Sequence, residues 1–189
     1  MKVLIINGSP RVGGDTEYIL SEFRKKFPID TEFEEIKAFN ENIKPCIDCR
    51  YCWRHHGCNI SDGMDVILKD DYDVLVMASP LYMSYITPPL FSIITRLNFL
   101  WCNSYFLKKQ NNMKHKKGVL ILSGGGDGHT YAALDIIKTA FKFLNVSFDD
   151  RKDYIYSLNT NDIPVRSDKT IPILIDKAIS DIINYENKK

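Results

Sequence analysis

The sequence predicts an α/β domain, a parallel sheet covered by helices on both faces. Short, continuous apolar runs end at glycine or proline: Val3-Leu4-Ile5-Ile6 before Asn7-Gly8, Asp73 to Ser79 before Pro80, and Gly118 to Ser123 before Gly124-Gly125-Gly126. Strands buried on both faces look like this. Between these runs stand segments whose apolar residues follow helical spacing. Strand and helix alternate five times, the pattern of βαβ units.

Each element follows in order. Val3 to Ile6 is the first strand. Asp15 or Thr16 caps a helix whose apolar positions are Tyr18, Ile19, Phe23 and Phe27, and Pro28 stops it. Thr31 to Phe39 alternates polar and apolar residues and reads as a second, more exposed strand. Residues 40–61 carry four cysteines and Pro45 with little periodicity, so they read as an inserted loop. Asp62 then caps a short helix through Met64, Val66, Ile67 and Leu68. After the buried strand Asp73 to Ser79, a helix runs from about Pro88 to Trp101, with proline in its first turn where a missing N–H costs little. Gly118 to Ser123 is the fourth strand and Tyr131 to Leu144 the next helix. Residues 148–158 hold a fifth, weaker strand, Thr170 to Tyr185 a final helix, and Asn187 to Lys189 a frayed tail.

The 189 residues are expected to form a single domain, 1–189, with a core that needs no disulfide or metal support. A 44% hydrophobic, 26% charged composition is that of a soluble globular chain. With 25 basic against 24 acidic residues, no overall field draws the protein to nucleic acid or to an acidic membrane surface. The basic clusters Lys108-Lys109 and Lys114-His115-Lys116-Lys117 read as solvated loop. No signal peptide is visible, and no apolar stretch approaches the roughly 20 residues that span a bilayer. The expected compartment is the cytoplasm, where cysteines stay reduced and close spacing among them points to metal or redox chemistry.

In sheets of this kind ligands bind beyond the carboxyl ends of the strands, where the strand order reverses. Three loops of unusual composition fall there, residues 8–16, 80–87 and 123–130. In the first, glycines at 8, 13 and 14 let the backbone turn and expose amides to an anion, and the following helix adds its positive end. Ser9 and Thr16 offer hydroxyls, and Arg11 a charge-assisted contact. After Gly8-x4-Gly13 come Gly14 and Asp15 rather than Lys and Ser/Thr, which excludes a Walker A loop; the dinucleotide fingerprint is absent too. No cysteine lies in the loop, against a cysteine-based phosphatase. A loop for a terminal phosphate monoester remains, beside the plainer reading of a Gly/Pro turn before a capped helix.

The stretch Ile5 to Thr16, with Pro80-Leu81-Tyr82, Pro89-Leu90 and Arg96, resembles the NADPH-dependent FMN reductase family over roughly residues 1–100. That resemblance implies a flavodoxin-like three-layer sandwich with a five-stranded parallel sheet in the order 2-1-3-4-5. It also implies that Ser9, Arg11, Gly14 and Thr16 hold the FMN phosphate. Pro80, Leu81, Tyr82 and Met83 would line the isoalloxazine ring, and Ser123, Gly124 and Gly125 would close its other side. Asp15 departs from the pattern, because members of the family often carry Asn or Ser there and a carboxylate beside a phosphate is unfavourable. If it caps the helix the cost is small; if it faces the loop, FMN affinity suffers.

Cys46-x2-Cys49-x2-Cys52-x5-Cys58 places four thiols within thirteen residues. Thiolates this close suit a soft metal centre, and two-residue gaps open ferredoxin cluster motifs. Zinc is less natural at this spacing. Free redox-active thiols and simple packing are the other readings. With Ile60, Asp62 and Met64 after it, the pattern resembles the iron–sulfur flavoprotein branch of the same family, which implies a [4Fe–4S] cluster on Cys46, Cys49, Cys52 and Cys58. His55 and His56 read as exposed surface residues, Trp53 as loop packing, Cys102 as an isolated core thiol, and His129 as a helix-start residue or flavin contact.

Flavin carries the hard chemistry in such proteins, and the sequence shows no nucleophile–base–acid constellation. The resemblance implies an FMN-dependent NAD(P)H oxidoreductase reducing a quinone, free flavin or nitro compound. The alternatives are an iron–sulfur flavoprotein exchanging electrons with ferredoxin, and a non-enzymatic flavin or thiol redox sensor. A homodimer or homotetramer is implied too; Phe91, Phe99, Trp101, Tyr105 and Phe106 offer an interface patch or pack the chain's own core.

Overall fold

Apolar side chains on successive positions of the same strands feed two different cores, and this is what makes the chain a three-layer sandwich. The computed structural model describes residues 1–126 and 128–187; Asp127 of the third loop and the last two residues of the tail lie outside the described residues. The strands are β1 (Lys2–Asn7), β2 (Glu32–Lys37), β3 (Val74–Pro80), β4 (Lys116–Ser123), β5 (Val146–Ser147) and β6 (Tyr154–Ser157). The helices are α1 (Asp15–Arg24), α2 (Asp65–Leu68), α3 (Pro88–Arg96), α4 (Asn98–Leu107), α5 (Tyr131–Phe143) and α6 (Thr170–Glu186). Val3, Ile5, Val76, Ala78, Val119 and Ile121 pack under α1 and α6, through Ile19, Phe23, Ile175 and Ile182. Leu4, Ile6, Leu75, Met77, Leu120 and Leu122 face the other way, against Leu90 and Ile93 of α3 and Ile137 and Phe141 of α5. Burying each such side chain stabilises the fold by about 1.5–3 kcal/mol.

All strand pairings are parallel, in the order β2-β1-β3-β4-β5, with β6 also on β4. This is the flavodoxin-like order, and the direction of strand addition reverses between β1 and β3. The fifth sheet position is filled by two pieces along one edge: β5 pairs with Lys116 and Lys117, and β6 with Leu120 to Ser123. Between them Lys152 and Asp153 donate to the Asp149 carbonyl at 2.9 and 2.8 Å, a turn that lifts the polar stretch off the edge. The weak strand expected within 148–158 is β6, Tyr154–Ser157, and β5, Val146–Ser147, is a further short strand just ahead of that range.

Other local expectations are corrected. The helix expected from Pro88 to Trp101 breaks at Leu97, whose amide reaches back only three residues to Ile94 (3.0 Å), and α4 then runs on to Leu107. Neither Asp15 nor Thr16 caps α1: the cap position is Gly14, and no side chain bonds it. Asp62 does not cap α2 either, since Met64 holds that position. Lys116 and Lys117 are not solvated loop but buried residues of β4. Lys117 pairs with Asp153 at 2.6 Å and with Asp181, and Lys116 pairs with Asp70 and lies 5.2 Å from the Tyr72 ring centre. Ammonium groups with such partners tolerate burial that isolated ones do not.

Candidate flavin site and cysteine pocket

The three loops leave the adjacent strands β1, β3 and β4 at their carboxyl ends. Gly8 donates to the Ala78 carbonyl (2.7 Å) and accepts from the Thr87 hydroxyl (2.8 Å), so the first loop is tied to β3 and to the start of α3. A Cβ at Gly8 would stand 2.8 Å from that hydroxyl oxygen, so only glycine fits. The Ser9 amide bonds the Asn7 side chain (2.9 Å), and the Arg11 amide the Ser9 hydroxyl (3.4 Å). Gly13 takes φ +70°, which L side chains rarely adopt, and its amide donates to the Glu17 carboxylate at 2.7 Å. That bond, more than the nearby Lys37, holds Glu17 below the usual carboxylate range.

The amides of Asp15, Thr16 and Glu17 in the first turn of α1 have no acceptor among the described residues. With the helix dipole behind them they are fitted to an anion. The buried Thr16 and Ser123 hydroxyls share a 2.8 Å hydrogen bond, joining the first loop to the third. Asp15 turns aside: its carboxylate accepts from Thr160 (3.0 Å) and stands 4.0 Å from the exposed Arg11 guanidinium. The donor set, open amides with hydroxyls and a cation nearby, fits a phosphate monoester.

Pro80 is the buried last residue of β3, paired with Ser123, and Leu81 donates to the Ser123 carbonyl at 2.7 Å. Tyr82 and Tyr85 exchange backbone hydrogen bonds of 2.8 and 3.0 Å around Met83 and Ser84, whose φ angles are +52° and +63°. Two non-glycine residues in the left-handed region match a type I′ turn and cost about 1–3 kcal/mol each. This strained turn presents Met83 (101% exposed) and Tyr82 (45%) to solvent at the mouth of the site, a platform for a flat apolar ligand. Gly124 is buried and Gly125 half-buried.

Sequence reasoning missed the loop behind Gly124 to Gly126. Thr160 and Asn161 donate to the Gly124 and Gly125 carbonyls at 2.9 and 3.3 Å, and Thr160 is also the partner of Asp15. The signal was the turn-forming run Asn159-Thr160-Asn161-Asp162, with Asn159 at φ +61°. His129 is exposed, with its ring 6.1 Å from that of Tyr131.

The cysteine loop is built differently, by side chains reaching in from α3 and α4. Asn103 donates to the carbonyls of Cys52 (2.8 Å) and His55 (3.1 Å) and accepts from the Gly57 amide (2.9 Å). Thr95 accepts from the Cys46 amide at 3.1 Å. Arg96, 2% exposed, bonds the carbonyls of Lys44 (3.1 Å) and Ile60 (2.8 Å) and pairs with Asp62 at 2.5 Å, closing the loop at its neck. Burial opposes ionisation of Asp62, yet the bonds from Arg96 and from the Met64 and Lys44 amides hold its pKa below the usual range.

Cys46, Cys49, Cys52 and Cys58 all line one narrow pocket of about 20 Å³, with Arg96 in its wall. No three His, Cys, Asp or Glu side chains among the described residues are gathered closely enough to hold a single metal ion. Four thiols on one loop are nonetheless the donor set of an iron–sulfur cluster. Cys102 is not isolated. It lies beside Cys52, and burial together with that neighbour pushes the Cys52 thiol up to about 12. Metal binding there must therefore displace a proton. Trp53 stacks on Phe106 at 4.4 Å, the packing role expected of it, while His55 and His56 are exposed.

An iron–sulfur flavoprotein of Methanocaldococcus jannaschii is 34% identical over 101 residues, 51% of each chain. One of Methanosarcina thermophila is 32% identical over 133 residues, 66% of this chain and 64% of that one. The chain thus spans about half to two thirds of the length of these curated relatives. The crystal structure of RosB with a bound 8-demethyl-8-formylriboflavin-5'-phosphate intermediate shares the fold, at TM-score 0.67 and 18% identity over 99% of this chain and 81% of that one. The model of the NADPH-dependent FMN reductase family matches residues 1–148, and the chain belongs to that family.

Proposed function

We propose that this protein is an FMN-dependent oxidoreductase whose Cys46, Cys49, Cys52 and Cys58 hold an iron–sulfur cluster that exchanges electrons with the flavin. One observation carries the reading: α3 starts at the end of the 80–87 loop and ends at Arg96 in the wall of the four-thiol pocket. A nine-residue helix is roughly 13 Å long, so the two sites are close neighbours on one rigid element.

Bound FMN supplies the electron chemistry. The chain's own residues do the rest. The amides of Asp15 to Glu17, with Ser9, Arg11, Gly14 and Thr16, bind the phosphate. Pro80, Leu81, Tyr82 and Met83 orient the ring from one side, and Ser123, Gly124 and Gly125 exclude water from the other. The electron donor in this reading is a one-electron carrier of the ferredoxin class, and the acceptor a quinone, free flavin or nitro compound. Direct reduction by NAD(P)H is the second reading, favoured by the family match. The half-exposed Trp101, Tyr105 and Phe106 beside the cysteine loop support a homodimer or homotetramer. No helix among the described residues is long and apolar enough to cross a membrane.

The test is protein purified without oxygen, assayed for FMN, iron and acid-labile sulfide, then mixed in a stopped-flow with reduced ferredoxin or with NADPH. Stoichiometric iron and bleaching by ferredoxin support the first reading. Bleaching by NADPH alone supports the second. Flavin without iron, unreactive towards both donors, sinks both and leaves a thiol sensor.

A further inference from the structure

Arg96 has more donors than the protein uses. Of its five N–H groups, those on Nη1 and Nη2 make three bonds, to the Lys44 and Ile60 carbonyls and the Asp62 carboxylate, while Nε–H is buried with no acceptor among the described residues. An orphaned buried donor costs about 1–3 kcal/mol. A side chain needed only to close the loop's neck would gain nothing from that cost. The same guanidinium forms part of the wall of the pocket lined by the four cysteines, with Cys58 close enough to interact with it. Asp62 is engaged by the Lys44 and Met64 amides as well, and so is held at the neck of the loop.

We infer that Arg96 is a positioning residue for the cysteine pocket, its spare buried N–H donating to the sulfur of Cys58 or of the cluster that Cys58 holds. The inference rests on the cluster reading above. Four thiolates give an iron–sulfur cluster net negative charge, which grows on reduction. A fixed cation donating to its sulfur favours the reduced form and raises its potential. The neck contacts and the electronic contact would thus be one device, since the guanidinium that closes the loop also sets the affinity of its contents for an electron.

The experiment uses the full chain, made without oxygen, as wild type, Arg96→Gln and Arg96→Lys. Iron, sulfide and FMN are measured per chain, and the cluster's midpoint potential is read by electron paramagnetic resonance during redox titration. Arg96→Gln is expected to keep FMN and to lower the reduction equilibrium constant about tenfold, 59 mV for one electron, with Arg96→Lys between it and wild type. Unchanged potentials in iron-loaded variants overturn the inference and leave the cluster reading standing. Wild type without iron or sulfide overturns the cluster reading, and the inference falls with it. If Arg96→Gln fails to fold, Arg96→Lys decides, because it keeps the charge and loses only the planar fork; a shift supports the inference and none overturns it.

Discussion

The phosphate loop and the cysteine loop are both glycine-containing excursions from the same sheet, yet they are held in opposite ways. From Ser9 to Gly13 the geometry is local, since the amides of Ser9, Arg11 and Gly13 bond side chains two to four residues away, and only the ends of the loop, Gly8 and Asp15-Thr16, reach distant partners. Between residues 40 and 61 almost nothing local organises the chain beyond one short 3-10 turn, Tyr51–Trp53. Its shape comes from Thr95, Arg96 and Asn103, some 36 to 52 residues distant. A loop whose turn is built from its own backbone depends less on the rest of the core for its shape. A loop clasped by distant side chains takes shape only when the core is complete, and its contents are coupled to the helices that grip it.

That contrast makes Asp62→Ala the most damaging change expected. It leaves the buried Arg96 charge unpaired, at a cost of about 3–5 kcal/mol. Urea unfolding should show the loss. Limited proteolysis should cut the cysteine loop first, while FMN binding per folded molecule holds; equal sensitivity of both loops would break the distinction. The acid behaviour follows from the lowered Asp62 pKa. Its contribution is present above the unfolded value of about 3.9 and is lost as pH falls through the lower folded value. The stability gap between wild type and Asp62→Asn should therefore close below about pH 4, measured by urea midpoints from pH 3 to 6.

Asn103→Ala comes next. It removes three bonds to the cysteine loop, leaves the Gly57 amide unsatisfied, and is expected to cost about 1–3 kcal/mol. Alkylation of Cys52 in iron-free protein should quicken; an unchanged rate would mean the loop keeps its shape unaided. Gly13→Ala is the reciprocal change. Nothing lies within 4 Å of an added Cβ, so only the φ of +70° resists, at about 1–2 kcal/mol. FMN affinity should fall while the iron content stays. Asp15→Asn is the mildest: with the carboxylate turned to Thr160, FMN affinity should be unchanged or slightly tighter, by calorimetry. Weaker binding would give Asp15 a direct part in holding the loop.

Much of this was legible in the order of residues alone. Strand and helix alternation, the three loops and the four-cysteine insertion depend on hydrophobic period and on glycine and proline chemistry, which act over a few residues. Folding decided what depends on distant partners. Lys116 and Lys117 look like surface residues until Asp70, Asp153 and Asp181 are brought to them. Asp62 looks like a helix cap until Arg96 arrives, and Cys102 like a solitary core thiol until α4 sets it beside Cys52. The Thr160 loop declared its turn but not its place behind Gly124. Burial of charge and the pairing of thiols are long-range matters, because the cost of desolvation is met only by a partner that the chain's path through space supplies.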